Sequence, residues 1–254
     1  MQATGDTLWN WLEARAGAAP DSPAISGPGK PLSYGDLARG VRTTAGGLQA
    51  LGLRKGDTVA IQLPNTEAFV LAFLAVTACG GVVQTLHMPY RQAELGHLLE
   101  HSGARMAIGL SAFRDLSPAA EMLAMAATLP KLETVIAVGK PIQGAEDFAA
   151  LGGFAGTVTL PDVSPDDPYL LLYTSGTTAS PKGVPHSYRG FLGNAARCAG
   201  QMAITADETM LSVAPYTHLY GLFVMHMCLA TGAAQALLPA FDPQGFLPAL
   251  VHLK

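Results

Sequence analysis

Charge is scarce in this chain: only 13% of its 254 residues are Asp, Glu, Lys or Arg, and the net charge is −4 with no Lys/Arg cluster. That balance leaves no basic footprint for nucleic acid. Cysteine is also scarce. Cys79, Cys198 and Cys228 show no Cys-x-x-Cys spacing, which points to core thiols in a reduced, cytoplasmic compartment and excludes a disulfide framework. The seven histidines are scattered without a zinc-ligand set at helical spacing, so a structural metal is not expected. The first residues, MQATGDTLWNWLEARAG, lack a basic start and an apolar core segment, so they do not read as a signal peptide. Long apolar runs are missing too. The most hydrophobic stretch, 68–83, is shorter than a bilayer needs and ends near Gly80-Gly81; it reads as a buried helix followed by a strand, and no transmembrane segment is expected.

What is present is a 49% hydrophobic composition, enough for one large or two small cores. A capping box at Ser33 and Asp36 opens a helix over 33–51 that stops at Gly52. A β-branched strand over 57–63 follows, and Asn65 reads as the cap of a helix running to residue 79. The alternation then recurs: strand 82–86 and helix 92–101, strand 105–109 and helix 118–129, strand 134–138, and, after a Gly/Pro/Ser/Asp-rich connection over 152–168, strand 168–173. A helix near 188–202, a strand over 209–215, a helix near 220–230 and a strand over 235–239 complete the pattern. Strand–helix alternation implies a layered α/β fold of mostly parallel sheets with helices on both faces.

The chemically richest run is Tyr173-Thr174-Ser175-Gly176-Thr177-Thr178-Ala179-Ser180-Pro181-Lys182-Gly183. Glycine lets backbone amides approach an anion, the hydroxyls add donors and the single ammonium supplies the opposite charge, so the run suits phosphate. It is not a Walker A loop, because Pro181 precedes Lys182 and Gly183 follows it. It is not a hydrolase elbow either, since no Gly-x-Ser-x-Gly surrounds Ser175. A Ser/Thr/Gly cluster also serves as a plain connection. The loop would leave the carboxyl end of its strand, where open α/β sheets place their ligands.

The run resembles the phosphate loop of the adenylate-forming (AMP-binding) superfamily, which includes acyl-CoA synthetases, luciferases and peptide-synthetase adenylation domains; it departs from that loop at Ala179, where the family usually has glycine. A second stretch, Pro215-Tyr216-Thr217-His218-Leu219-Tyr220-Gly221, resembles the family's Pro-x-Phe-His-x-x-Gly signature with Thr217 in place of phenylalanine. The resemblance implies that Lys182, with Ser175, Gly176, Thr177 and Thr178, holds the β- and γ-phosphates of ATP. It also implies that Thr174 helps ligate Mg²⁺, that His218 orients the acyl carboxylate, and that coenzyme A receives the acyl group. The implied activity is that of an AMP-forming acid–thiol ligase, with an aryl or carrier-protein ligase and a non-catalytic nucleotide-binding module as the other readings.

Residues 209–241 contain no Asp or Glu, which disfavours a substrate ammonium. Gly221, Leu222, Met225, Met227 and Cys228 read as an apolar wall for an aliphatic or alicyclic acyl group, and equally as ordinary helix core. The stretch from Thr85 through His87, Met88, Pro89 and Tyr90 to Leu95 is similar to the corresponding region of medium-chain and cyclohexanecarboxylate CoA ligases, where the wider family more often has Asn-Pro. The resemblance spans residues 1–254 as the N-terminal part of the family's large domain, about half of its usual length. On that reading the chain alone would not complete adenylation, and exposed apolar edges would favour self-association into a homo-oligomer.

Overall fold

A computed structural model describes residues 7–26, 31–174, 181–239 and 243–252. In chain order its elements are α1 (Leu8–Ala18), β1 (Pro23–Ser26), β2 (Leu32–Ser33), α2 (Tyr34–Ala50), β3 (Thr58–Gln62), α3 (Glu67–Ala78), β4 (Val82–Thr85), α4 (Gln92–Ser102), β5 (Met106–Leu110), α5 (Pro118–Ala126) and β6 (Thr134–Val138). There follow β7 (Glu146–Asp147), α6 (Phe148–Leu151), β8 (Pro168–Thr174), β9 (Lys182–Ser187), α7 (Tyr188–Gln201), β10 (Thr209–Ser212), α8 (Leu219–Thr231), β11 (Ala234–Leu237) and α9 (Pro243–His252).

Two sheets result. One has seven strands in the order β7-β6-β5-β3-β4-β8-β9, and the other has four in the order β10-β11-β1-β2. Every pairing is parallel except β1 with β2 and β8 with β9. Side chains alternate across the larger sheet. Val59, Ile61, Met106, Ile108 and Ile136 face a core shared with α1, α2, α3, α7 and α8, whereas Ala60, Ala107, Val135 and Ala137 face α4 and α5. The first core also takes in Ile25 of β1 and Leu237 of β11, so its helices form a middle layer between the two sheets. This explains why α3 and α8 are apolar on nearly every side: from Phe69 to Ala78, and from Leu222 to Leu229, most residues are buried, as a helix covered on both faces requires.

The Ser33–Asp36 capping box opens α2, and Gly52 takes the left-handed conformation, φ 96°, just beyond its end. Cys79 and Cys228 are buried thiols. Among the described residues no helix is long and apolar enough to cross a membrane. The connection before β8 is pinned at its end: Arg189 grips Asp166 at 2.6 and 2.8 Å, and Lys55 reaches Asp167 at 2.8 Å.

The foot of β8 is fixed from below by a buried polar cluster. Tyr169 O–H donates to His226 Nε2 at 2.9 Å, while His226 Nδ1–H donates to Leu222 O at 2.6 Å. A carbonyl oxygen only accepts, which sets this tautomer. Tyr188 stacks on Tyr169 with centroids 4.3 Å apart and donates its hydroxyl to Thr77 O at 3.0 Å.

Residues 182–187, to which the sequence pattern assigns no element, form an antiparallel edge strand, β9, closing a hairpin with β8; Pro185 conceals it in sequence, since proline is tolerated in a sheet chiefly at an edge. One expectation needs correction. Asn65 does not cap α3, whose N-cap is Thr66; the Asn65 side chain is used elsewhere, as shown below.

Candidate active site

Thr174 and Lys182 are cross-strand partners on the final rung of the β8–β9 ladder. Residues directly opposite in an antiparallel pair project to the same face about 5 Å apart, and both of these are exposed. The hairpin therefore presents one hydroxyl and one ammonium side by side. Ser175, Gly176, Thr177, Thr178, Ala179 and Ser180 lie outside the described residues. One rung back, Tyr173 pairs with Gly183, and its hydroxyl meets His101 Nδ1 of α4 at 2.8 Å.

His218 arrives from the other sheet. It is the N-cap of α8, with extended backbone (φ −115°, ψ 148°), and its Nδ1 accepts the Tyr220 backbone N–H at 3.2 Å. In the neutral ring an accepting Nδ1 leaves the proton on Nε2. The His218 backbone N–H donates to Pro215 O at 2.9 Å, closing a tight turn. Gly221 is what allows that turn: a Cβ there would lie 2.2 Å from Pro215 O and 2.6 Å from Ala214 O.

The turn is held by side chains at, or just beyond, the ends of strands of the larger sheet. Asn65 Oδ1 accepts the Tyr216 N–H at 2.7 Å and its Nδ2 donates to Ala214 O at 2.8 Å. Thr85 Oγ1 donates to Thr217 O at 2.8 Å, and His87 Nδ1 lies 2.9 Å from Thr217 Oγ1. The carboxyl ends of β3 and β4 thus clamp the segment that carries His218, at the position where parallel sheets gather ligands.

These pieces enclose a cavity of about 430 Å³ whose lining includes Thr174 and His218, together with His87, Tyr90, His186 and Thr217. Three imidazoles face it, and among the described residues lining it there is no carboxylate. Burial, reinforced by the nearby His218, holds His87 below the ordinary imidazole value; burial alone does the same for His186. Burial, helped by Glu94, raises the Tyr90 phenol. The site is therefore a pocket of neutral donors and acceptors beside one ammonium, suited to an anion.

The structure brings Thr174 and His218 to one cavity, with Lys182 beside Thr174 across the ladder. It does not bring Leu222 and Met225 there. Both are fully buried in the core between the sheets, and neither lines the cavity; Met227 and Cys228 are buried as well. The reading of these residues as ordinary helix core is the one their packing supports, and Gly221 serves the turn. Thr85, His87, Tyr90 and His186 also line the cavity and Asn65 holds the turn; the sequence sets Thr85, His87 and Tyr90 apart only within a stretch similar to one of medium-chain CoA ligases, presents Asn65 as a cap, and does not mark His186. The signal for three of them lay in position: each follows or ends a parallel strand.

AMP-binding enzyme is the family that matches, over residues 12–253. The chain belongs to that family. It is 32% identical to the sulfoacetate–CoA ligase of Cupriavidus necator over 86% of its own length and 42% of that protein's. It is also 32% identical to the long-chain-fatty-acid–CoA ligase of Bacillus subtilis over 93% and 47%. Among solved structures, apo MbtA of Mycobacterium smegmatis superposes with a TM-score of 0.87 at 26% identity, covering 96% of this chain and 46% of that one. The chain thus spans somewhat under half the length of these curated relatives. The layered α/β architecture of mostly parallel sheets is the one shared with the N-terminal portions of adenylate-forming enzymes.

Proposed function

We propose that the protein carrying this chain is an AMP-forming acid–thiol ligase, joining a carboxylic acid to the adenylate of ATP and passing the acyl group to coenzyme A. The observation that carries the reading is the meeting, in one carboxylate-free cavity, of Thr174 from the β8–β9 hairpin and a His218 ring whose tautomer is fixed by its own helix.

The acid's carboxylate and the α-phosphate are both anionic, so the site's main tasks are positioning and charge neutralisation. His218 Nε2–H donates to the carboxylate and holds it in one orientation. Lys182, beside Thr174, neutralises the polyphosphate tail as pyrophosphate departs. Mg²⁺ is usually held by one or two carboxylates together with phosphate and water oxygens; among the described residues lining this cavity only hydroxyls such as that of Thr174 are on offer, so Thr174 would supply a single ligand, and the ion when bound would add to the neutralisation of the phosphates. Tyr90 and His87 narrow the cavity, and Leu172, Val184 and Leu219 give it an apolar side. With no acidic residue in 209–241 and none lining the cavity, a substrate ammonium would be desolvated without a partner. The acid is therefore assigned as one without an amino group, with an aliphatic or alicyclic body.

ATP–pyrophosphate exchange by the full protein across a panel of carboxylates tests this. Lys182→Ala and His218→Ala are each expected to lower exchange by about a hundredfold or more; parental rates in both would overturn the roles. Residues 1–254 span less than half of the relatives' length, and no exchange is expected from them alone.

A further inference from the structure

His87 has no task in the reaction as described, yet it is held on several sides at the cavity. Its ring lies against the His218 ring, centroids 6.1 Å apart and planes 25° from parallel, and Tyr90 packs edge-on to it at 5.1 Å. Its Nδ1 sits 2.9 Å from Thr217 Oγ1. Thr217 is buried, 4% exposed, and its carbonyl is already taken by Thr85. If the Thr217 hydroxyl accepted from His87, its own proton would be buried without an acceptor; donating to Nδ1 satisfies both groups. The remaining His87 proton is then on Nε2, the same tautomer that the Tyr220 amide imposes on His218.

The platform under His87 is equally fixed. Gln62, fully buried at the end of β3, donates through Nε2 to His87 O at 3.0 Å and to Tyr90 O at 3.1 Å. Burial keeps the His87 ring neutral near neutral pH, so its stacking on His218 carries no charge repulsion. One element of the larger sheet therefore touches the His218 turn twice, once at the preceding hydroxyl and once at the ring face.

We propose that His87 is a positioning residue for His218: seated on the carboxyl end of β4 and locked by Thr217, it fixes the angle at which the His218 ring meets the acid. The consequence for rate rests on the function proposed above; the consequence for ring geometry does not.

The test combines kinetics with spectra of the 15N-histidine-labelled protein. In the parent, His218 is expected as the Nε2–H tautomer. His87→Ala and Thr217→Val should each leave that tautomer, which the Tyr220 amide sets, but shift and broaden the His218 ring resonances as the stacking partner is lost or loosened, and lower kcat for exchange by about tenfold, with the KM for ATP nearly unchanged. The double variant should be no worse than His87→Ala, because the pair acts as a unit, and His87→Asn, which restores an acceptor for Thr217, should recover most of the rate. Thr217→Val keeps the side-chain shape and decides the matter if His87→Ala fails to fold. Unchanged His218 ring nitrogens in the variants, or strictly additive losses, would overturn the proposal. A parent without exchange activity would sink the function reading, and the ring spectra would still decide this one.

Discussion

Asn65 accepts the Tyr216 backbone N–H at 2.7 Å and donates to Ala214 O at 2.8 Å, so one buried amide from the end of β3 joins the seven-stranded sheet to the turn leaving the four-stranded one. Asn65→Ala strands both backbone groups, each at a cost of about 1–3 kcal/mol where it stays unsatisfied. Urea unfolding should show a lower midpoint with an unchanged slope. Asn65→Asp, which keeps the acceptor and loses the donor, should fall between Asn65→Ala and the parent, and a midpoint equal to the parent's in both variants would contradict this use of the amide.

Gly221 is expected to tolerate no side chain. A methyl group would have to displace the Pro215 carbonyl, 2.2 Å away, and backbone cannot yield as a flexible side chain does. Overpacking of this kind costs about 1–3 kcal/mol and at times more, so Gly221→Ala should lower the thermal midpoint and shift the His218 resonances together. Gly190, a helical residue whose Cβ would meet nothing within 4 Å, provides the control: Gly190→Ala should hold or raise the midpoint, as Ala for Gly in a helix does, and leave the His218 resonances unchanged.

His218 has two separable duties, capping α8 through Nδ1 and presenting Nε2–H to the cavity. Asparagine is among the best N-caps and alanine a poor one, a difference of about 1 kcal/mol. His218→Asn should therefore match the parent in unfolding free energy while losing exchange activity, and His218→Ala should lose both. Equal stability of the two variants would show that the cap bond contributes nothing.

The alternation of strands and helices was legible because each parallel strand is a short apolar run between helical periodicities, and α3 announced itself by being apolar on all sides. The phosphate-binding run and the His218 stretch were legible as motifs. The edge strand β9 was not: Lys182-Gly183-Val184-Pro185-His186-Ser187 alternates weakly, because an edge next to solvent needs no second apolar face. Nor was the destination of Leu222 and Met225, since a helix buried between two sheets and a helix lining a pocket share one apolar composition. Asn65 was misread for a related reason. Its position before a helix matches a capping signal, and only the three-dimensional approach of the turn at 214–216 shows that its donors and acceptors go elsewhere.

Acid should weaken the fold through His226. Burial pushes this imidazole from 6.5 down to about 4, so between those values the unfolded chain binds a proton that the folded chain refuses, and unfolding becomes easier as pH falls. The stabilisation is fully present above about pH 6.5 and is lost as pH falls towards 4, amounting to about 3 kcal/mol over that window. Urea midpoints at pH 7.0 and 4.5 check the sign. His226→Phe should flatten the profile, leaving a smaller slope of the same direction from His87 and His186, which burial also depresses. A steeper profile in His226→Phe would refute the assignment.

Because Thr174 and Lys182 share a rung, the polypeptide departs from the sheet and rejoins it at neighbouring posts. The separation of hydroxyl and ammonium is therefore set by the ladder itself, whatever lies between the two residues in sequence.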